Sequence, residues 1–199
     1  MEFGRPIGEF SEDELREYAC EHVLYEITHF VRGAQAVEVA SAGLFPMNFA
    51  IEVLALHLRN LLDFFAPRNA RNTDACARHF YKGWEEPELD LYLREARWMA
   101  DKHIAHLTTD RTADINLKVW AVEPIVRSLA PIIERFANGA DLVCESFRER
   151  VADRLAELPP PRDPTELPPG PDLAPGGSRV HADGASASRT CNSRPRHQT

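Results

Sequence analysis

Cysteine is scarce and scattered. The four residues, Cys20, Cys76, Cys144 and Cys191, form no CxxC pair, which excludes a zinc knuckle and a thioredoxin-like redox motif. Three of them fall in helix-like sequence and read as buried thiols in a reducing compartment. Long apolar runs are also lacking. No uninterrupted stretch approaches the roughly 20 residues of a membrane helix, and the N-terminal MEFGRPIGEFSEDE has no basic region followed by an apolar one. The expectation is a cytoplasmic protein with no membrane association. Strand-length alternation of apolar and polar residues is missing, as is any internal repeat. A Gly-rich phosphate loop, a nucleophile elbow and an HExxH pattern are absent too.

Positive charge is in deficit: 23 Lys and Arg against 31 Asp and Glu leave a net −8. That balance argues against coating duplex nucleic acid or anionic membrane by bulk electrostatics, but a local basic patch could still bind RNA. With 199 residues, 44% of them hydrophobic, the chain can build one ordinary core. Residues 159–199 hold 9 of the 15 prolines and hardly any large apolar side chains. Such a segment buries too little surface to offset its ordering entropy. The expected organisation is a helical domain over 1–157 and a disordered tail over 158–199.

What is present upstream is helix. Ser11 followed by Glu14 forms a capping box, and Ala19, Cys20, Val23, Ile27, Phe30 and Val31 recur at helical spacing up to about Val39. A second helix is expected from about Met47 to Phe65, stopped by Pro67. Thr73 or Asp74 could cap a short helix ending near Trp84, and Pro87 could open a longer one over Glu88 to Leu107. After a polar connection from Thr108 to Asn116, a helix over Val122 to Ala137 should carry Pro124 in its first turn and a kink at Pro131. Asn138-Gly139 closes it, Asp141 caps the last helix, and that helix ends near Glu157. The fold class is all-α, an antiparallel bundle of four to five helices around one core.

The second helix, IEVLALHLRNLLDFF, is apolar almost all round, as a central helix should be. Its polar residues His57, Arg59, Asn60 and Asp63 share one arc. Polar groups on a buried arc must meet partners or a wet cleft. One solution is structural, with Arg59 and Asp63 paired four residues apart in the helix and His57 and Asn60 bonded to nearby backbone. On LDLYLREARWMADKHIAHL the apolar arc runs through Leu89, Leu93, Ala96, Ala100 and Leu107. His103 falls inside it and His106 at its margin, so both imidazoles should point inward, toward the polar arc of the second helix.

For a metal, His103 and His106 have workable spacing, and His57 with Asp63 could complete a site between facing helices. Glu26-x-x-His29 is the only ExxH on a helix and, with His22, reads as a solvated face. No metal and no other cofactor is expected.

RNLLDFF on one helix, KHIAHLTTDR ending another, and the W…I…L…I…F helix that follows resemble a family of uncharacterised bacterial all-helical proteins over about residues 45–137. More distantly they are similar to the higher eukaryote and prokaryote nucleotide-binding (HEPN) superfamily. The resemblance implies a metal-independent endoribonuclease of a defence or toxin type, often dimeric, with an Arg and a His four to six residues apart. The His would act as general acid/base on ribose 2′-OH attack while the Arg steadies the phosphate charge. Arg97 and His103 meet that spacing, but Trp98 stands where a polar residue is the rule. Arg59-Asn60 has the polar neighbour and no His in range. The candidate catalytic set is therefore His103, His106, Arg97 and Arg59, supported by His57, Asn60 and Asp63.

The stretch PRNARNTDACARHFYKGW supplies Arg68, Arg71, Arg78 and Lys82, which could guide RNA to a cleft or form a solvated loop. Leu91, Trp98 and Ala105 recur every seven residues opposite the core arc. They suggest a homodimer seam, or a face covered by the N-terminal helix. The rival function is a non-catalytic interaction module with a protein partner and a structural polar network; a metal-dependent hydrolase stands third.

Overall fold

Ser11 opens the first helical rod as its spacing to Glu14 requires. In the computed structural model of the protein, which describes residues 5–40, 44–105 and 120–158, the Ser11 hydroxyl accepts from the Glu14 N–H. The Glu14 carboxylate accepts from the Ser11 N–H at 2.8 Å, so two donors that a helix start leaves unpaired are satisfied. From this cap α1 (Glu12–Tyr18) runs through a π-helical segment, Ala19–Val23, into α2 (Leu24–Val39).

α3 (Leu44–Phe65) begins earlier than the sequence suggests. Pro46 sits in its first turn, where a missing N–H breaks no intrahelical bond. The short helix expected between Thr73 and Trp84 is reduced to a 3-10 turn, Ala77–His79. Local side-chain bonds compete with the helix there: the Asp74 carboxylate accepts from the Arg71 N–H at 2.8 Å and His79 Nδ1 from the Cys76 N–H at 3.0 Å.

α4 (Leu91–Met99) starts later than expected because Asp90 caps it, its side chain accepting from the Leu93 N–H at 2.9 Å. It continues as a π-helical segment, Ala100–Ala105. The connection read over Thr108 to Asn116 and the Pro-rich tail lie outside the described residues. α5 (Val122–Gly139) carries Pro131 within one helix, and α6 (Glu145–Ala156) follows. Asp141 does not cap α6; its carboxylate accepts from the Lys82 N–H at 3.3 Å, and Cys144 occupies the cap position.

The described residues belong to one compact unit, Met1–Pro161. Among them the chain is all-α, a bundle of five helical rods with no strand. α3 lies along α2 and also meets α4 and its π-helical continuation, while α5 and α6 close the other side. α2 and α3 approach closely at Gly33, where an added Cβ would sit 2.9 Å from Leu54 Cα. Only a residue without a side chain fits that crossing.

Phe136 of α5 is the centre of an aromatic core, with Phe64, Phe65, Phe80, Trp84 and Phe147 packed around it at centroid distances of 5.1 to 6.3 Å. Each fully buried Phe contributes about 1.5–3 kcal/mol of transfer free energy. Phe80 and Trp84 come from the irregular stretch after α3, so the core itself anchors that loop. A second tie joins it to the N-terminus, where the Ile7 N–H donates to the Asn72 carbonyl at 2.9 Å. The loop carrying Arg68 and Arg71 is therefore held at both ends.

Candidate functional site

The polar arc of α3 divides between two neighbours. His57 and Asn60 turn to α2, where one oxygen of Glu26 lies 2.7 Å from His57 Nδ1 and accepts from the Asn60 amide at 3.1 Å. Arg59 and Asp63 turn the other way, toward α4 and its continuation. The in-helix Arg59–Asp63 pair expected from their spacing is not formed, because each finds an opposite charge on the next rod.

Glu26 and His29 are likewise not a plain solvated face. The His29 ring stacks on His57 at 4.9 Å, and Tyr25 packs on both imidazoles. Burial and the neighbouring His57 and Arg32 push the His29 imidazole below its ordinary range. A buried His57 and an amide on one face of α3 already demanded an acceptor; the sequence signal was the ExxH itself, set three residues apart on one face of α2.

Arg97 is buried, only 5% exposed, and its guanidinium lies on the end of α3. It donates to the Ala66 carbonyl at 2.9 Å, to the Leu62 carbonyl at 3.2 Å, and to the Asp63 carboxylate. The Trp84 indole takes the Phe65 carbonyl at 3.0 Å. Pro67 ends α3, and these two long side chains satisfy the Phe65 and Ala66 carbonyls at the helix end, while the Leu62 carbonyl also accepts from the Ala66 N–H at 2.9 Å. A cation on the negative end of the helix dipole is favourable as well. Arg97 thus ties α4 to α3, in a place a diffusing substrate does not reach.

Arg59 Nε donates to one oxygen of Asp101 at 2.7 Å, and Arg68 donates to the other at 2.5 Å. Burial alone would raise the Asp101 carboxyl, but the hydrogen bonds and charges of the two arginines outweigh it and hold the group below its ordinary range. Asp101 sits in the π-helical segment. Its two partners lie 42 and 33 residues away along the chain, so spacing along one helix does not reveal its role.

These groups line a groove of about 750 Å³ that includes Arg59, Asn60, Asp63, Arg68, Arg71, Asp74, Asp101 and Lys102. A smaller cavity of about 280 Å³, walled by Tyr18, His22, Glu26 and Asn60, adjoins it and shares Tyr18, Asn60, Phe64 and Ala75. Of the loop cations, Arg68 and Arg71 reach the groove. Arg78 pairs instead with Glu86 at 3.1 Å, and Lys82 is exposed beside Asp141.

His103 belongs by its backbone to the Ala100–Ala105 segment, directly after Lys102 on the groove wall. Its side chain and the whole of His106 lie outside the described residues, so their meeting with α3 rests on the sequence alone. Leu91 and Trp98 are exposed, at 47% and 42%, as the proposed seam requires. The side chain of Ala105 lies outside the described residues. Among the described residues no three His, Cys, Asp or Glu side chains gather in a way that could hold a metal ion, and no helix is long and apolar enough to cross a membrane. The chain matches no protein-family model, no curated protein and no solved structure.

Proposed function

We propose that this is an RNA-binding helical protein of the nucleotide-binding superfamily type, with the groove between the end of α3, the loop after it and the π-helical continuation of α4 as its phosphate site. The observation that carries the reading is the gathering of Arg59, Arg68, Arg71 and Lys102 on one groove in a chain of net charge −8. Asp101 takes one donor from Arg59 and one from Arg68. A guanidinium has five N–H donors, so each retains others for phosphate oxygens.

The catalytic part of the proposal is metal-independent cleavage of the RNA backbone. An imidazole of His103 or His106 takes the proton of the attacking ribose 2′-OH, and Arg59 steadies charge on the phosphate. Arg97, which the spacing to His103 had favoured, serves the fold in this reading. A second reading is favoured by that same burial of Arg97 and by the Glu26, His57 and Asn60 bonds: a non-catalytic interaction module whose polar network is structural.

Fluorescence anisotropy of a labelled single-stranded RNA, titrated with the full chain and with an Arg68→Ala/Arg71→Ala variant, separates the readings. Binding by the wild type and at least a tenfold loss in the variant support the groove. Cleavage that persists in EDTA and vanishes in a folded His103→Ala variant supports the catalysis. A well-folded protein that binds no RNA even at low salt leaves the interaction module.

A further inference from the structure

Cys20 and Cys144, 124 residues apart in the chain, have their sulfurs 2.8 Å apart. Cys20 comes from the π-helical segment between α1 and α2, and Cys144 stands at the start of α6, where its sulfur also lies 3.0 Å from the Ser146 hydroxyl. Both thiols are only partly buried. Cys76, by contrast, is buried, 3.7 Å from the Asp74 carbonyl. A disulfide bond is about 2.05 Å long, so the two sulfurs need to close by less than an ångström. Widely spaced cysteines had suggested unrelated buried thiols; the bundle brings two of the four together.

We propose that Cys20 and Cys144 form a reversible intramolecular disulfide on exposure to peroxide, a redox modification site that pins the first helical rod to α6. This cross-link does not depend on RNA binding. Hydrogen bonds with Cys20 and then Ser146 hold the Cys144 thiol below its ordinary range, whereas burial first, then the bond to Cys144, pushes Cys20 up to about 11. Cys144 is accordingly the more readily ionised of the two and the one that meets peroxide first.

The Cys144 thiolate attacks one oxygen of hydrogen peroxide and breaks the O–O bond, giving a sulfenic acid and hydroxide, which leaves as water with a solvent proton. Cys20 sulfur then attacks the sulfenic sulfur; the S–S bond forms, the S–O bond breaks, and the Cys20 proton leaves with the hydroxide as a second water. Two thiols lose two electrons in total and one peroxide gains them. Cys20 lies between Tyr18 and His22, which wall the smaller cavity, so the cross-link fixes that wall to the last helix.

The test uses the full chain, reduced and then exposed to a small excess of hydrogen peroxide. Non-reducing peptide mapping should find Cys20 joined to Cys144, the intact monomer should lose two hydrogens, and dithiothreitol should reverse both. Closing so long a loop should raise Tm by roughly 10 °C. A Cys76→Ser/Cys191→Ser variant should behave as the wild type, and a folded Cys144→Ser variant should form no internal cross-link. Linkage through Cys76 or Cys191, disulfides between chains, or separate oxidation of the two thiols to sulfinic acids would overturn the proposal.

Discussion

Arg59 and Arg68 are held side by side, because each donates to a different oxygen of the same Asp101 carboxylate. Two like charges at one spot repel, and the carboxylate between them is what makes the arrangement stable. Asp101→Asn should therefore lower stability, by about 1 kcal/mol in urea unfolding. The folded pKa lies below the ordinary 3.8, so this contribution is full above that value and is lost as pH falls through the depressed one. The variant should match the wild type at low pH and differ above it. Equal stabilities at neutral pH would contradict the arrangement.

Replacing Arg97 should be costlier. Arg97→Ala removes donors from two helix-terminal carbonyls and leaves Asp63 without its cation, a loss of about 2–4 kcal/mol. Asp63→Asn keeps an oxygen to accept from the guanidinium but takes the counter-charge from the buried Arg97, so it should cost less than Arg97→Ala, about 1–2 kcal/mol. Urea midpoints of the two variants give the comparison, and an Arg97→Ala protein as stable as the wild type would show that the tie from α4 to α3 is unimportant.

Gly33→Ala tests the crossing of α2 and α3. Helix propensity alone favours Ala by about 1 kcal/mol, but the new Cβ meets the Leu54 backbone, which cannot move without displacing α3. Overpacking of this kind costs roughly 1–3 kcal/mol, so the net effect in thermal unfolding should be destabilisation. A rise in Tm would mean that the two helices have room to part.

At the other end of the rod, hydrogen bonds from the Ser11 N–H, then Arg5 and the Ser11 hydroxyl, take Glu14 from 4.5 to about 2. The depressed folded value means that Glu14 stabilises the fold fully above pH 4.5 and progressively less as pH falls toward 2. Glu14→Gln should flatten the acid limb of the stability curve over that window. A carboxyl carbon that titrates near 4.5 by NMR would contradict the capping box.

Much of the fold was legible in the sequence because its signals were local. The Ser11 to Glu14 spacing, the apolar period of α2 and α3 and the stop at Pro67 each act within a turn or two of chain. The misplaced ends have identifiable competitors: Asp90 as cap, Pro46 tolerated in a first turn, and side-chain bonds by Asp74 and His79 that replaced a short helix with a single turn. At the site, the polar arc of α3 was visible but its partners were not. Glu26 answers His57 from 31 residues away and Asp101 answers Arg59 from 42, and spacing along one helix says nothing about which rod will lie beside it. Cys20 likewise meets Cys144 from 124 residues away.

The salt dependence of RNA affinity tests the groove most directly. Each phosphate neutralised on a single strand should add about 0.7 to the slope of log affinity against log salt. A groove using Arg59, Arg68, Arg71 and Lys102 predicts a slope of about 3 for the wild type, falling by more than 1 in Arg68→Ala/Arg71→Ala. An identical slope in the two proteins, or no measurable affinity for single-stranded RNA at low salt, would contradict the account.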